Sequence, residues 1–386
     1  MKPPLEASRP LGISTHHPFY LNPHLSPPIL LHQTLSLSLS LAFVIFPPLL
    51  PTTKPHLLSE TTKQEVKTLS HKNMGTLIGH VAPGFGFFIV GLWHLYNHIK
   101  LHAQYPNSYT SLPWFPTSKS RYFELFLIMG GCVASIAMEL FISPDRHQPF
   151  DSDGSIPSNH LHNFEHSNIS LTFFVYAAFA IALDKVGPKA QHGLTQLIGA
   201  IAFAQMFLLF HFHSTDHMGP EGQYHLLLQF VIAISLATTL MGIGNPKSFI
   251  ISFVRSVSIV FQGLWLMVMG FMLWTPELLP KGCFLHLEEG HKVARCSGDE
   301  ALYRAKSLIV LQFSWYVAGI TCLAVLFYLF LVKAYGEKVE YASLIKEEEQ
   351  EGEDFGDIES QKKSKIGNST SFIQMGKVFA PVDMER

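Results

Sequence analysis

The chain has 386 residues, of which 48% are hydrophobic and 15% charged, and its formal net charge is −2. Soluble globular chains carry about 25% charged residues, so this composition points to a membrane, and a balanced charge gives no basic footprint for nucleic acid. Four cysteines are too few for a disulfide scaffold or a cysteine-rich zinc module, whereas histidine is abundant, with 21 against 27 Lys plus Arg.

Residues 1–73 differ in character from the rest of the chain. The apolar run Leu35–Pro51 is broken by Pro47, Pro48 and Pro51 and falls short of the roughly 20 residues a spanning helix needs. About 34 residues precede it, too many for an ordinary signal-peptide n-region, and the Ser-, Pro- and Leu-rich remainder loosely suits a transit peptide. The segment reads as a disordered or non-native extension, with the functional chain starting at Met74. Gly79 stands where a myristoylation signal wants Ser or Thr.

Seven apolar runs come after Met74: Leu77–Tyr96, Phe123–Ile142, Ile169–Leu183, Leu194–Phe210, Leu226–Gly244, Ser256–Thr275 and Ser307–Val332. Lipid requires each backbone group to be satisfied within its own segment, so each run reads as a helix. The third and fourth are short and need polar flanks to extend them. The expected fold is all-α, a polytopic seven-helix bundle over 74–333 between disordered termini, with 334–386 as an acidic tail.

Basic residues orient the bundle. Lys100, Lys119, Arg121, Lys185, Lys189, Lys247, Arg255, Lys333 and Lys338 lie on one side, and Arg146, Lys281, Lys292, Arg295 and Arg304 on the other. Counted from Met74, nine against five puts the C-terminus in the cytosol and the start of helix 1 in a lumen or outside, in the endomembrane system or the plasma membrane. Counting Lys54, Lys63, Lys67 and Lys72 of the extension erases that margin. Cys283 and Cys296 then bracket a loop on the oxidising side, where a disulfide persists.

In the tail, Tyr341-Ala-Ser-Leu344 has the form of a sorting signal for trafficking adaptors, and Asn368-Ser-Thr is a sequon that a cytosolic tail keeps from the glycosylating enzyme. Beyond the bilayer and such adaptors, homo-oligomers or other membrane proteins are open as partners. Nucleic acid is not.

This topology gathers histidines and acids at one membrane face: His80, Glu139, His160, His162, Glu165, His166, His211, His213, Asp216, His217, His225, His286, Glu288, Glu289 and His291. His162 and His166 are four apart and share a helical face, as do His213 and His217 if helix 4 runs on to Gly219-Pro220. His225 and Gln229 repeat the spacing. Imidazoles with a carboxylate suit zinc or non-haem iron, so His162, His166, His213, His217, His225 and Glu139 are the candidate ligands. The competing reading is that they hydrogen-bond one another and hold the bundle together. His94, His98 and His102 form a separate stripe at the other end of helix 1 and read as interfacial, snorkelling side chains, with a pH-sensing or metal role as the alternative. Glu124 reads as an ordinary helix-start carboxylate.

MGTLIGHVAPGFGFFIVGLWHLYN (from Met74), NHLHNFEHSNISLTFF (from Asn159) and LLFHFHSTDHMGPEGQYH (from Leu208) together resemble the transmembrane protein 45 family, and more narrowly its plant viral-response branch. The resemblance covers Met74 to Val332. It implies a multi-pass, seven-helix protein with a stress- or pathogen-response setting, and it carries over no catalytic residue. Alkaline ceramidases and progestin/adiponectin-type receptors also have seven helices and a zinc site at one face, but helix 7 here contains no histidine. A G-protein-coupled receptor matches only in helix count and topology. Two readings therefore stand: a non-enzymatic receptor-like, scaffold or transport-associated protein, and a zinc- or iron-dependent hydrolase or oxidoreductase acting on a lipid.

Overall fold

The computed structural model describes the backbone of residues 60–142, 149–212, 219–288 and 291–360. Within these bounds it describes the side chains between Leu77 and Gly336, except those of Asn159 and His291. The extension before Glu60, the tail beyond Ser360, and the segment holding His213, Asp216 and His217 lie outside the described residues.

The helices are α1 (Glu60–Gln104), α2 (Phe123–Ala137), α3 (Leu161–Val186), α4 (Gln191–His211), α5 (Pro220–Gly244), α6 (Phe249–Trp274) and α7 (Asp299–Ser360). Each contains a stretch long and apolar enough to cross a membrane, and the chain is a multi-pass membrane protein. Strands β1 (Cys283–Glu288) and β2 (His291–Cys296) form an antiparallel hairpin between α6 and α7. The polar flanks do extend the short runs. α3 starts at Leu161, not Ile169, which puts His162, Asn163 and His166 on the helix, and Gly187, at φ 67°, ends it in the left-handed conformation. Pro220, pre-set for a first helical turn, opens α5. The backbone is also helical over 60–73 and 334–360, segments read from sequence as extension and tail. Glu, Lys and Gln, all good helix formers, are frequent in both.

The bundle buries polar groups inside and exposes an apolar surface. Phe85, Phe126, Phe179, Phe230 and Ile250 are exposed, while Gln196, Gln229, Ser235, Arg255, Ser256 and Gln262 are buried. Water would not tolerate that much exposed apolar surface, whereas lipid makes it the expected arrangement, with polar groups turned to the bundle interior. α6 is the central element, 67% buried against 11% for α2. Around it Trp265, Leu228, Ile232, Met269 and Leu273 form the main core, and Trp265 Nε1 donates to the Tyr224 carbonyl at 3.1 Å. Ser235 and Ser258 hydroxyls pair across α5 and α6 at 2.9 Å.

α1 lies against α6 along a seam of glycines. Gly84 and Gly91 on α1 face Gly263 and Val260 on α6 at backbone distance, the close approach that small residues allow between membrane helices. The α1–α2 connection is folded back under the bundle, not loose: Tyr109, Trp114 and Phe115 are buried, and Ser111 N donates to the Pro246 carbonyl at 2.7 Å.

The hairpin, which the sequence did not announce, pairs Cys283 with Cys296 in register, and their sulfurs are bonded. Arg295 pairs with Glu288 across it, and Trp274 Nε1 reaches the Lys292 carbonyl at 3.4 Å. A disulfide closing a loop of about 15 residues is worth about 3 kcal/mol. Reduction is therefore expected to open the hairpin and leave the seven helices intact. Circular dichroism with and without reductant checks this, and a loss of helix would contradict it.

Candidate functional site

Two buried polar clusters occupy the two ends of the bundle, and a cavity joins them. The first lies at the hairpin end. There the last turn of α2 widens into a π turn, Met138–Ile142, a distortion frequent at functional sites, and the turn carries Glu139 inward. The Glu139 carboxylate accepts from Asn163 Nδ2 at 2.7 Å and lies 3.2 Å from His166 Nδ1. It also sits against Gly79, where α1 has no side chain. His80 stacks on Trp274 with ring centroids 4.4 Å apart, and its ring is 6.1 Å from those of both His166 and His225. His225 stacks on Phe210. Gln229 donates to the Phe210 carbonyl at 2.8 Å and lies 3.3 Å from His211 Nδ1.

Of the six candidate ligands, the structure gathers Glu139, His166 and His225 around His80. His162 is next to His166, with ring centroids 6.3 Å apart. His213 and His217 lie outside the described residues. Among the described residues, no three His, Cys, Asp or Glu side chains come together as a group that could hold a metal ion.

The second cluster, at the opposite end, departs from the sequence reading. His94, His98 and Glu124 do not lie at an interface: they are 5%, 0% and 2% exposed. Glu124 Oε2 accepts from Trp93 Nε1 at 3.0 Å and from the Phe115 backbone N–H at 2.8 Å, and Oε1 lies 2.7 Å from His94 Nε2. Arg255, taken from the sequence as a connection residue, sits inside α6 at 5% exposure. It donates to Gln196 Oε1 at 3.3 Å, to His98 Nε2 at 3.2 Å and to the Leu112 carbonyl at 3.3 Å.

These contacts fix a tautomer. A guanidinium only donates, so His98 Nε2 must accept and its proton sits on Nδ1, 2.9 Å from the Tyr109 hydroxyl. Burial raises the Tyr109 pKa, which keeps the phenol neutral beside it. His102, next along the stripe, instead stacks on Phe249 at 4.1 Å. The signals were present in the sequence, a Glu and an Arg at the edges of apolar runs and histidines four apart. What hydropathy could not show is that the α1–α2 connection covers them.

Between the clusters lies a cavity of about 510 Å³, within the range of small-molecule sites, about 300–1,000 Å³. Phe87, Ile128, Ile169, Phe173, Phe203 and Met206 line its middle. His80, Glu139 and His166 line one end, and His94, Glu124, Gln196 and Arg255 the other. Phe85, Ile89 and Leu127 line it too and are exposed on the outer surface of α1 and α2, so the cavity opens sideways between those helices. His80 and His94 are fourteen residues apart on α1, which at 1.5 Å per residue makes the cavity roughly 21 Å long. A smaller hollow of about 120 Å³ lies beside Arg121 and Asp184, below the size range of such sites.

Residues 192–329 match the model of a family described as a family of unknown function, DUF716. It is the family of transmembrane protein 45-like proteins. The match spans α4, α5, α6, the hairpin and most of the spanning part of α7. It contains Gln196, His225 and Arg255, while His80, His94, Glu124, Glu139 and His166 stand on α1–α3, outside it.

Proposed function

We propose that the chain is a non-catalytic, receptor-like or transport-associated membrane protein that takes an amphiphile from the bilayer into the cavity between α1, α2, α3, α4 and α6. The observation that carries this reading is the side opening at Phe85, Ile89 and Leu127, which gives a lipid-phase molecule a route to buried polar groups. In this reading the hairpin end faces a lumen or the outside, where its disulfide persists, and the tail faces the cytosol. With Arg255 buried in α6 the basic count from Met74 onward becomes eight against five, and Lys63, Lys67 and Lys72 at the start of α1 level it, so the hairpin disulfide is what supports that orientation. The plant viral-response branch, with its stress or pathogen setting, is the finer family placement we propose.

Native mass spectrometry of the purified protein tests the reading. One lipid-sized adduct per chain is expected, and it should be lost in Gly131→Trp, which fills the mouth of the cavity from a position with open space around it. Absence of the adduct, or its full retention in the variant, would overturn it. The metal-dependent hydrolase or oxidoreductase reading, built on His162, His166, His213, His217, His225 and Glu139, makes a different prediction. It requires stoichiometric zinc or iron that a His213→Ala/His217→Ala double variant loses. Our reading expects metal-free protein that retains its adduct.

A further inference from the structure

We infer that the cavity ligand is a long-chain fatty acid, held with its carboxylate between Arg255 and His94 and its chain running toward Glu139. This rests on the amphiphile-binding reading and names the ligand class for that site.

Arg255 carries the argument. It is a buried guanidinium lining the cavity, and among the described residues no carboxylate lies within 4.0 Å of it. Its acceptors, Gln196, His98 and the Leu112 carbonyl, are all neutral. Buried charges are normally paired, and a guanidinium is shaped to bind a carboxylate. His94 supplies the second observation. It lines the same end of the cavity, and its Nδ1 is buried with no hydrogen-bond partner among the described residues. The apolar middle accepts the chain. At roughly 21 Å the cavity exceeds the length of one leaflet's acyl layer, about half of the 30 Å hydrocarbon core.

The charges balance. Without ligand Glu124 and Arg255 cancel, His98 is fixed neutral by its Arg255 bond, and Tyr109 is a neutral phenol. A fatty acid dissolves in the bilayer as neutral RCOOH. On seating, its O–H bond breaks and the proton moves to His94 Nδ1, where a new N–H bond forms. The imidazolium then lies between two carboxylates, Glu124 on Nε2 and the ligand on Nδ1, with Arg255 as the second donor to the ligand. No net charge is added to the membrane interior, where an uncompensated one is costly.

The test uses full-length protein in phosphatidylcholine vesicles and three diazirine-bearing probes: a C18 fatty acid, the alcohol of the same chain, and a sterol. The acid is expected to label cavity residues on α1 and α2 and to compete about tenfold better than the alcohol, as a charge-assisted pair would. Arg255→Gln should reduce acid labelling to the alcohol's level, and Arg255→Lys should retain most of it. Because Arg255→Gln could unfold the chain, the acid-to-alcohol ratio in the natural protein stands as an independent readout. Equal labelling by acid and alcohol, or preferential labelling by the sterol, overturns the carboxylate assignment and leaves the amphiphile reading standing. If no probe labels the cavity, both are overturned.

Discussion

Gly263→Ala is expected to destabilise the bundle by about 3 kcal/mol, at the upper end of the range for overpacking. A Cβ at this position would meet the Phe88 backbone nitrogen, with the Gly84 carbonyl oxygen at 2.5 Å and Phe88 Cα at 2.8 Å. All three are backbone atoms of α1, so no side-chain rotation relieves the clash and the helices must separate. Separation would propagate along the seam, because Gly91 faces Val260 N at 2.5 Å and Gly84 faces the Gly263 carbonyl at 2.9 Å. α1 also forms one wall of the cavity, so the variant should bind the ligand poorly even where it folds. Gly86→Ala is the control: on the same helix, its Cβ meets nothing within 4 Å, and replacing a helical Gly by Ala there should be neutral or stabilising by about 0.5–1 kcal/mol. Thermal unfolding in a mild detergent compares the two. Equal melting temperatures for both variants would show that the seam is not tightly packed.

The fold was legible because lipid makes a simple demand on sequence. Runs of apolar residues long enough to span must be helices, and seven such runs gave seven helices, with Phe123–Ile142 placed to the residue. Ends were less legible: Leu161 to Asn168 on α3 is polar, and hydropathy cannot tell a polar helical turn from a loop. The hairpin between Cys283 and Cys296 was missed for a similar reason, since six-residue strands in a short extramembrane connection leave no hydropathy signal.

Glu139 and His166 were readable as partners, because topology alone puts the end of α2 and the start of α3 at one face. Glu124, His94 and Arg255 were readable as residues but not as a cluster. His94 and Glu124 stand thirty residues apart and Arg255 well over a hundred further on. Only the folded-back connection, through Phe115 and Trp114, turns what resembles an interface into a sealed interior. The cavity was not legible at all. It depends on how far α2 stands from α1, and no local pattern encodes that distance.

Glu124→Ala tests whether that sealed interior is structural, and it is expected to cost at least about 3 kcal/mol, because it strands three buried hydrogen-bonding groups. Its carboxylate is the shared acceptor for Trp93 Nε1, the Phe115 backbone N–H and His94. Alanine leaves those groups buried without a partner, each at about 1–3 kcal/mol. Glu124→Gln keeps one acceptor oxygen but turns an NH₂ donor toward groups that themselves donate, so it should be only partly better than alanine and not a silent isostere. Losing the Phe115 contact would also free the α1–α2 connection, exposing backbone amides from Ser111 to Phe115 that the folded chain protects. Hydrogen exchange over that segment is therefore the sharper measurement: faster exchange in both variants, with alanine the faster, is expected. The matching change on the hairpin, Glu288→Ala, removes the partner of Arg295 from a half-exposed pair and should cost no more than about 1 kcal/mol. Comparable losses at the two positions would mean that Glu124 is as solvated as Glu288, and that the α1–α2 connection does not seal that end of the bundle.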